Sequence, residues 1–370
     1  MISDNKCAEI ISKFNLSGRA VSCASFGSGH INRTYLLELI DSTQKSFKYV
    51  LQSVNTAVFD NIYAVMDNIK RVTEYLKSKS GKSTRFMRFL QTDDGNTFYV
   101  DRDKNFWRIY EFIDNSICLD VPENSDDFYQ CALAFGKFQH DLADFPAESL
   151  NEIIPDFHNT PKRYETFLGA VQRDKMGRAA SVLPETEFIK ARSEFYSVLT
   201  DRYNAGALPL RVSHNDTKCN NVLLDSMTRK ALCVIDLDTI MPGFSVTDFG
   251  DAVRFGASTA AEDETDLSKV HFDIEKFRVY TKGFLDGCGG LLTESEIMLL
   301  PEGAKMMTAE CGMRFLTDYL DGDTYFKTER EGQNLDRCRT QLKLVAEMEE
   351  QWDSMKDCVK SFNKIKSQKY

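Results

Sequence analysis

The apolar residues of this chain keep mostly to a period of two up to residue 112 and to a helical period beyond it, and that switch limits the fold more than any other feature. Residues 20–27 (AVSCASFG), 31–40 (INRTYLLELI) and 46–54 (SFKYVLQSV) alternate apolar and polar side chains, the period of strands with one face in a core. The intervening GSGH and DSTQK are turn material, so three antiparallel strands are expected after a short helix over about 5–14. From Val58 the apolar residues step by three and four, through Ile62, Val65, Met66, Ile69, Val72 and Leu76, which makes one apolar helix face. Strand character returns in 84–92 (TRFMRFLQT), 96–101 (NTFYVD) and 106–114 (FWRIYEFID), with TDDGN and RDKN as connectors. A sheet of about five strands carrying one helix should end near Phe112.

Helical patterning follows over 128–144, 161–174, 187–203, 272–285, 294–319 and 335–355. The last carries Leu335, Cys338, Leu342, Val345, Met348 and Trp352 on one face, a core stripe. The layout is an α+β chain with a small antiparallel-sheet lobe, a hinge at 113–124 and a large, mainly helical lobe. At 370 residues and 42% hydrophobic content, it can bury its cores without disulfides. The 46 basic against 56 acidic residues argue against a grip on nucleic acid. The start, MISDNKCAEIISKFN, lacks a signal-like apolar run, and no stretch approaches the ~20 apolar residues of a membrane span. The ten cysteines contain no C-x-x-C pair and read as reduced thiols. The cytosol is the expected compartment, with no nucleic-acid or membrane partner; the oligomeric state stays open.

Residues 212–225, VSHNDTKCNNVLLD, put more chemistry into a connection than a turn needs. They match H-x-D-x-x-x-x-N with His214, Asp216 and Asn221 in register, and VLLDSMTRKALCVID then reads as a hairpin ending at Asp236. A kinase-type site requires an aspartate that takes the acceptor proton, an asparagine on the metal, and a second aspartate on the metal after a hairpin. Asp216, Asn221 and Asp236 fit those places in one cleft. Lys218, two residues past Asp216, is placed to neutralise charge on the phosphoryl group in flight. His214 is expected to pack the loop, since Asp216 already fills the base position. The DFG at 248–250 lies too far along: Asp248 and Asp251 are expected to organise the loop that carries them, and Asp238 is a weaker metal candidate than Asp236. Gly27, Ser28 and Gly29 form a bare turn between two strands whose amides can approach phosphates. SGKS at 80–83 is half of a phosphate-loop motif that follows a helix and lacks the upstream glycine, so it is set aside.

At these residues the chain resembles the aminoglycoside phosphotransferase and choline kinase superfamily, a protein-kinase-like bilobal fold. HNDTKCNNVLLD, VIDLDTIMPGFSVTDFGDAVRFG, FGSGHINRTY and ECGMRFLTDYLDGDTYFK are most similar to its N-acetylhexosamine 1-kinase branch. The resemblance spans about residues 23–327. It implies ATP- and Mg2+-dependent phosphorylation of the anomeric hydroxyl of N-acetylglucosamine or N-acetylgalactosamine. Asp216 would orient and deprotonate that hydroxyl, Asn221 and Asp236 would hold magnesium, and the Gly27–Gly29 turn would cover the phosphates. Adenine would lie against the backbone of Glu111, Phe112 and Ile113. Residues 1–113 would then form the nucleotide-binding lobe, and 114–370 the lobe with the catalytic loop, metal site and substrate pocket. Arg314 and Tyr325 would hold the sugar, with His30 as a third contact.

One position departs from the kinase pattern. Aligning KYVLQ with V-A-I-K sets Gln52 at the phosphate-binding lysine, with Lys48 further back on the same strand face. Another cation, or magnesium alone, must then serve the phosphates. Two further readings compete with the sugar kinase. Asp318, Asp321 and Asp323 would attract a cationic amino alcohol or aminoglycoside, and loss of the lysine would suit a nucleotide-binding pseudokinase. Retention of Asp216, Asn221 and Asp236 together weighs against the last.

Overall fold

The computed structural model describes residues 4–16, 18–27, 32–56, 59, 61–79 and 85–367, with side chains to residue 362. Helix α1 (Asp4–Ile11) leads into strands β1 (Arg19–Ser25), β2 (Arg33–Ile40) and β3 (Ser46–Val54). Helix α2 (Ile62–Lys79) follows, then β4 (Tyr99–Val100) and β5 (Phe106–Glu111). The five strands form one antiparallel sheet in the order β1-β2-β3-β5-β4. Strand alternation sends Leu37, Leu39, Leu51 and Ile109 against Ile10 and Phe14 on one face. Val54 and Phe106 meet α2 on the other.

Helix α2 buries Ile62, Val65, Met66, Ile69, Val72 and Leu76, as its spacing requires; Val58 lies outside the described residues. Each such side chain contributes roughly 1.5–3 kcal/mol on burial. The same core takes in Phe138, Leu142, Ile240 and Met241 from the helical lobe. Asn68 of α2, fully buried, donates to the carbonyls of Asn151 and Ile240, both at 2.8 Å. The helix is therefore fastened to the large lobe as well as to the sheet.

Residues 84–92 do not make the expected strand. Among those described, Phe89 makes one isolated bridge to Tyr110, flanked by Leu90 N–H to Ile109 O and Glu111 N–H to Arg88 O, and Thr92 makes another to Phe14. The outer edge of β5 is already shared with β4 at Phe106 and Trp107, so neither neighbour has room to run long.

The large lobe begins with β6 (Ser116–Cys118), α3 (Ser125–Asp141), α4 (Thr160–Arg173), α5 (Leu183–Lys190) and α6 (Val198–Asn204). Strands β7 (Arg211–Ser213), β8 (Val222–Asp225), β9 (Ala231–Val234) and β10 (Met241–Gly243) come next. Helices α7 (Ser245–Gly256), α8 (Ile274–Cys288), α9 (Glu294–Met298), α10 (Leu300–Asp321), α11 (Gln333–Glu350) and α12 (Trp352–Ser367) complete it. The short strands form a β6-β8-β9 sheet and a β7-β10 pair. This is the α+β, protein-kinase-like, bilobal arrangement of a small antiparallel sheet and a large helical body.

Three expected helices are interrupted. Residues 187–203 divide into α5, a 3-10 turn over Ser193–Ser197 and α6. Residues 294–319 divide before Leu300, because Pro301 lacks an N–H and fits only a first helical turn. The stripe over 335–355 breaks at Gln351 and resumes in α12. Helix α7 stands where a loop was expected. A Cβ on Gly250 would strike the Gly303 carbonyl oxygen, and one on Gly303 the Val246 carbonyl oxygen, so α7 and α10 lie backbone to backbone. That contact fixes how deeply α7 reaches toward the residues after β7. Among the described residues no helix is long and apolar enough to cross a membrane.

Candidate active site

The loop between β7 and β8 has few backbone hydrogen bonds of its own, and the surrounding elements supply them. His214 is fully buried, edge-on to Phe135 and Phe138 at 5.4 and 6.0 Å. Its Nε2 lies 2.9 Å from the Ile235 carbonyl, and its Nδ1 accepts the Asp216 N–H at 3.3 Å, a pattern that places the proton on Nε2. This is the packing role expected of it. Asn215 takes a left-handed backbone (φ 64°) and donates its amide to the carbonyls of Ser213 and Thr239.

Helix α7 holds the loop from below. One Asp248 oxygen accepts the His214 N–H and Gln139 Nε2, the other the Asn215 N–H, all at 2.9 Å. Asp251 accepts the Thr217 N–H at 3.0 Å and is paired with Arg254 at 3.1 Å. Asp248 and Asp251 thus organise a loop, but the one after β7 rather than their own, and they do so from a helix. Burial pushes the Asp248 carboxyl up, opposed by the His214 and Asn215 amides. Asp248→Ala would strand two buried amides and the Gln139 side chain. It is expected to cost about 3 kcal/mol or more of stability, read as a fall in urea midpoint, while Mg·ADP affinity of the folded fraction changes far less than in Asp236→Ala.

With the backbone so fixed, three side chains converge. Asp216 meets Lys218 Nζ at 3.0 Å through one oxygen and Asn221 Nδ2 at 3.1 Å through the other. Asn221 also donates to the Asp216 carbonyl at 2.8 Å. The Asp216 charge raises the Lys218 ammonium against its desolvation, so Lys218 stays protonated. The Ile235 N–H bonds the Asn221 carbonyl at 2.9 Å, which sets Asp236 beside this group. Asp236 is left-handed (φ 58°), exposed to the cleft, and its carboxylate has no hydrogen-bond partner among the described residues. Its carboxyl is pushed up to about 6, first by the protein packed around it and then by the charges of Asp238 and Asp216. Accumulated negative charge with free oxygen ligands fits a hard divalent cation. Magnesium takes only one or two protein ligands and fills its octahedron with phosphate oxygens and water.

Asp238 is a different case. Its carboxylate pairs with both Nη atoms of Arg108, at 2.5 and 3.0 Å, and accepts from Asn32 Nδ2 at 2.7 Å. The weaker metal candidate is therefore already spent on a guanidinium. Gln52 is spent as well: its amide bonds Thr34 Oγ1 at 3.0 Å and Arg108 Nε at 2.9 Å. Lys48 points along the sheet to the Phe112 ring, 5.9 Å away. At the glycine turn, Gly27 has φ 79° and open space where a Cβ would stand, so glycine is needed for its backbone and not for clearance. Ser28, Gly29 and His30, like SGKS at 80–83, lie outside the described residues. Of the three expected adenine contacts, the N–H of Glu111 bonds Arg88 O and that of Phe112 bonds Lys48 O. The Ile113 N–H is left without a partner among the described residues.

Arg314 and Tyr325 are together, as expected, with Nη2 3.4 Å from the phenol oxygen. The guanidinium lies 5.3–5.8 Å from the rings of Phe157, Tyr325 and Phe326. No carboxylate forms an ion pair with it among the described residues. Arg163 of α4 joins it, its guanidinium donating to the Phe157 carbonyl alone among the described residues. Burial and then the Arg314 charge hold the Arg163 guanidinium below its usual range. Beneath them, buried Glu310 takes His158 Nδ1 at 2.8 Å and Thr160 Oγ1 at 2.6 Å. The three aspartates expected to draw a cationic acceptor are engaged elsewhere. Asp318 accepts the N–H groups of Thr324, Tyr325 and Phe326, Asp321 pairs with Arg173, and Asp323 pairs with Arg178. Arg108, Arg163 and Glu310 were not foreseen; the one sequence signal was a charged residue inside the apolar pattern at Arg108 and at Glu310, and Arg163 lies in a polar stretch that gave none.

Solved structures with this architecture include a microcompartment-associated aminopropanol kinase (TM-score 0.64, 15% identity, 96% of this chain and 99% of that one). An aminoglycoside phosphotransferase from Alicyclobacillus acidocaldarius is similar over 98% and 97% (TM-score 0.60, 12% identity). So is an amicoumacin kinase in complex with AMP-PNP, Ca2+ and amicoumacin, over 93% and 94% (TM-score 0.56, 12% identity). At these identities the likeness is one of fold. Residues 22–280, well over half the chain, match the family described as Phosphotransferase enzyme family, APH. The chain belongs to that family and is a small-molecule phosphotransferase.

Proposed function

We propose that the protein transfers the terminal phosphoryl group of ATP, with Mg2+, to the anomeric hydroxyl of an N-acetylhexosamine. The observation that carries the transfer itself is the meeting of Asp216, Lys218 and Asn221 within hydrogen-bond distance, beside an Asp236 carboxylate that has no partner among the described residues. Asp216 orients the acceptor hydroxyl and takes its proton. Lys218 offsets charge on the transferred group, where catalysis of this reaction chiefly resides. Asn221 and Asp236 hold magnesium, which supplies charge neutralisation at the phosphates. Residues 1–113 carry the nucleotide, with the turn at Gly27 over the phosphates and the Ile113 N–H toward adenine; residues 114–370 carry the acceptor. The amicoumacin kinase of the same fold holds AMP-PNP and Ca2+, which supports the ATP and divalent-metal reading.

The acceptor is inferred from charge. Arg314 and Arg163 lie near one another with no ion-paired carboxylate among the described residues, while Asp318, Asp321 and Asp323 are committed to backbone and arginine partners. A cationic amino alcohol would be repelled here. A sugar offers hydroxyl and acetamide oxygens to the guanidiniums and a ring face to Tyr325, which is 66% exposed. An aminopropanol kinase of the same fold keeps the amino-alcohol reading as the alternative. An ADP-release screen over N-acetylhexosamines, plain hexoses, aminopropanol, choline and an aminoglycoside separates the two. Turnover confined to reducing sugars, and lost on their 1-O-methyl glycosides, is expected. Turnover with choline or aminopropanol but no sugar would overturn the acceptor assignment.

A further inference from the structure

Gln52 leaves the phosphate-binding lysine of the kinase pattern unreplaced on β3, and α2 presents Met66, not a glutamate, toward the same place. The nearest cation is on the next strand. Register pairs Thr34 with Gln52 and Gln52 with Arg108, so the three stand in one row across β2, β3 and β5. The row is bonded end to end: Gln52 Nε2 to Thr34 Oγ1 at 3.0 Å, Arg108 Nε to Gln52 Oε1 at 2.9 Å. Both Nη atoms of Arg108 then cross to Asp238 of the helical lobe. Asp238 in turn accepts from Asn32 at 2.7 Å, and Asn32 accepts the Asn55 N–H at 3.0 Å. The side chains of Arg108 and Asp238 are only 2% and 6% exposed.

We propose that Arg108 is the positioning residue for the metal loop, taking over the work of the missing β3 lysine without touching phosphate. With Nε on Gln52, both Nη atoms on Asp238 and almost no exposure, it is closed off from a nucleotide. It acts through Asp238, two residues beyond Asp236, and holds the turn over Leu237–Thr239 that aims the Asp236 carboxylate. Its charge also lies within reach of Asp236 itself and opposes the carboxylate repulsion there. Asn32 ties in the strand that leaves the glycine turn. The sheet, the exit of that turn and the metal loop are thus set by one guanidinium. The lysine–glutamate pair of protein kinases links lobe to helix; here the cation has moved one strand over, and its carboxylate has moved from the helix to the metal loop.

This inference rests on Asp236 being a magnesium ligand, so the test includes Asp236→Ala. Mg2+-dependent ADP binding is measured by calorimetry alongside Tm, with ATP turnover as a further readout. Arg108→Met alone leaves Asp238 buried and unpaired, and Tm should fall on the order of 10 °C. The double variant Arg108→Met, Asp238→Asn removes both charges and should recover most of that fall. Its Mg2+ requirement should nonetheless remain raised ~10–100-fold, the scale seen when groups supporting metal ligands are lost. Arg108→Lys, charged but unable to span both oxygens, should fall between. A double variant with native Tm and a native Mg2+ requirement would make Arg108 merely structural and overturn the proposal. If Asp236→Ala left Mg2+-dependent ADP binding unchanged, the reading of the metal site would fall, and this inference with it.

Discussion

Asp216→Asn is expected to lower kcat by about 10^3-fold, within the ~10^2–10^4 range for losing a positioned general base, while ADP affinity shifts by no more than about threefold. The two halves of that expectation have separate causes. Among the described residues Asp216 touches Lys218 and Asn221 and no residue of the hinge, so removing its charge takes away the proton acceptor and leaves the hinge contacts in place. The asparagine also presents an NH2 to Lys218 or to Asn221, both donors, so one of those two contacts is lost, and loss of the second turns Asn221. A modest rise in the Mg2+ requirement should therefore accompany the loss of rate. Lys218→Met should lower kcat by less, about 10–100-fold, and should not alter ADP binding. Single-turnover kinetics with calorimetry on the same samples would check this. An Asp216→Asn rate within tenfold of the native protein would remove Asp216 from the chemistry.

Strand β2 and helix α2 were legible because each has one buried face, and a single buried face imprints its period on the sequence; β1 half-buries only Ala20 and Cys23, and β3 buries both Val50 and Leu51. Helix α7 was not legible. Its Val246, Phe249 and Val253 keep helical spacing, but Thr247, Asp248, Asp251 and Arg254 between them are buried too. With its polar side chains turned inward onto the catalytic loop, α7 has no wet face, and the amphipathic signal disappears. The same burial explains the DFG stretch: Asp248 looks like a metal ligand in a string of letters and proves to be the acceptor for two loop amides.

Within the site, the local part was readable and the long-range part was not. Asp216, Lys218 and Asn221 lie within six residues, so their mutual contacts follow from one tight loop, and a hairpin brings Asp236 back to them. Arg108 finds its partner 130 residues away at Asp238. No period reveals that pairing, because β5 is buried on both faces and Trp107, Arg108 and Ile109 are equally enclosed. The gap at Gln52 was visible, and the residue that fills it required the strand register. At the acceptor end the acidic run 318–323 looked available in sequence. Its aspartates turn out to cap the turn after α10 and to pair with Arg173 and Arg178.

Asp236→Asn is expected to abolish Mg2+-dependent turnover, by about 10^3-fold or more, and at the same time to make the metal-free protein more stable at pH 7.5. The carboxyl is pushed up to about 6, by the protein around it and then by Asp238 and Asp216. The folded state therefore binds this proton more tightly than the unfolded chain, whose aspartates titrate near 3.8–3.9. Between those two values stability from this group rises as pH falls; above pH 6 the ionised carboxylate is a cost. Solvent on its open side screens the repulsion, so the gain on neutralising it should be about 1 kcal/mol or less, read as a Tm increase of a few degrees. The difference in Tm between variant and native protein should shrink as pH is lowered from 7.5 to 5, because the native carboxyl is then protonated as well. In the native protein Mg2+ competes with that proton, so Mg2+-dependent ADP binding should weaken over the same interval. A metal ligand and a structural carboxylate differ in sign here. Removing a structural aspartate such as Asp248 lowers Tm, whereas Asp236 sits in a repulsive field that only a cation relieves. An Asp236→Asn protein less stable than the native one at pH 7.5 would show that the carboxylate is held by the fold and not reserved for a metal.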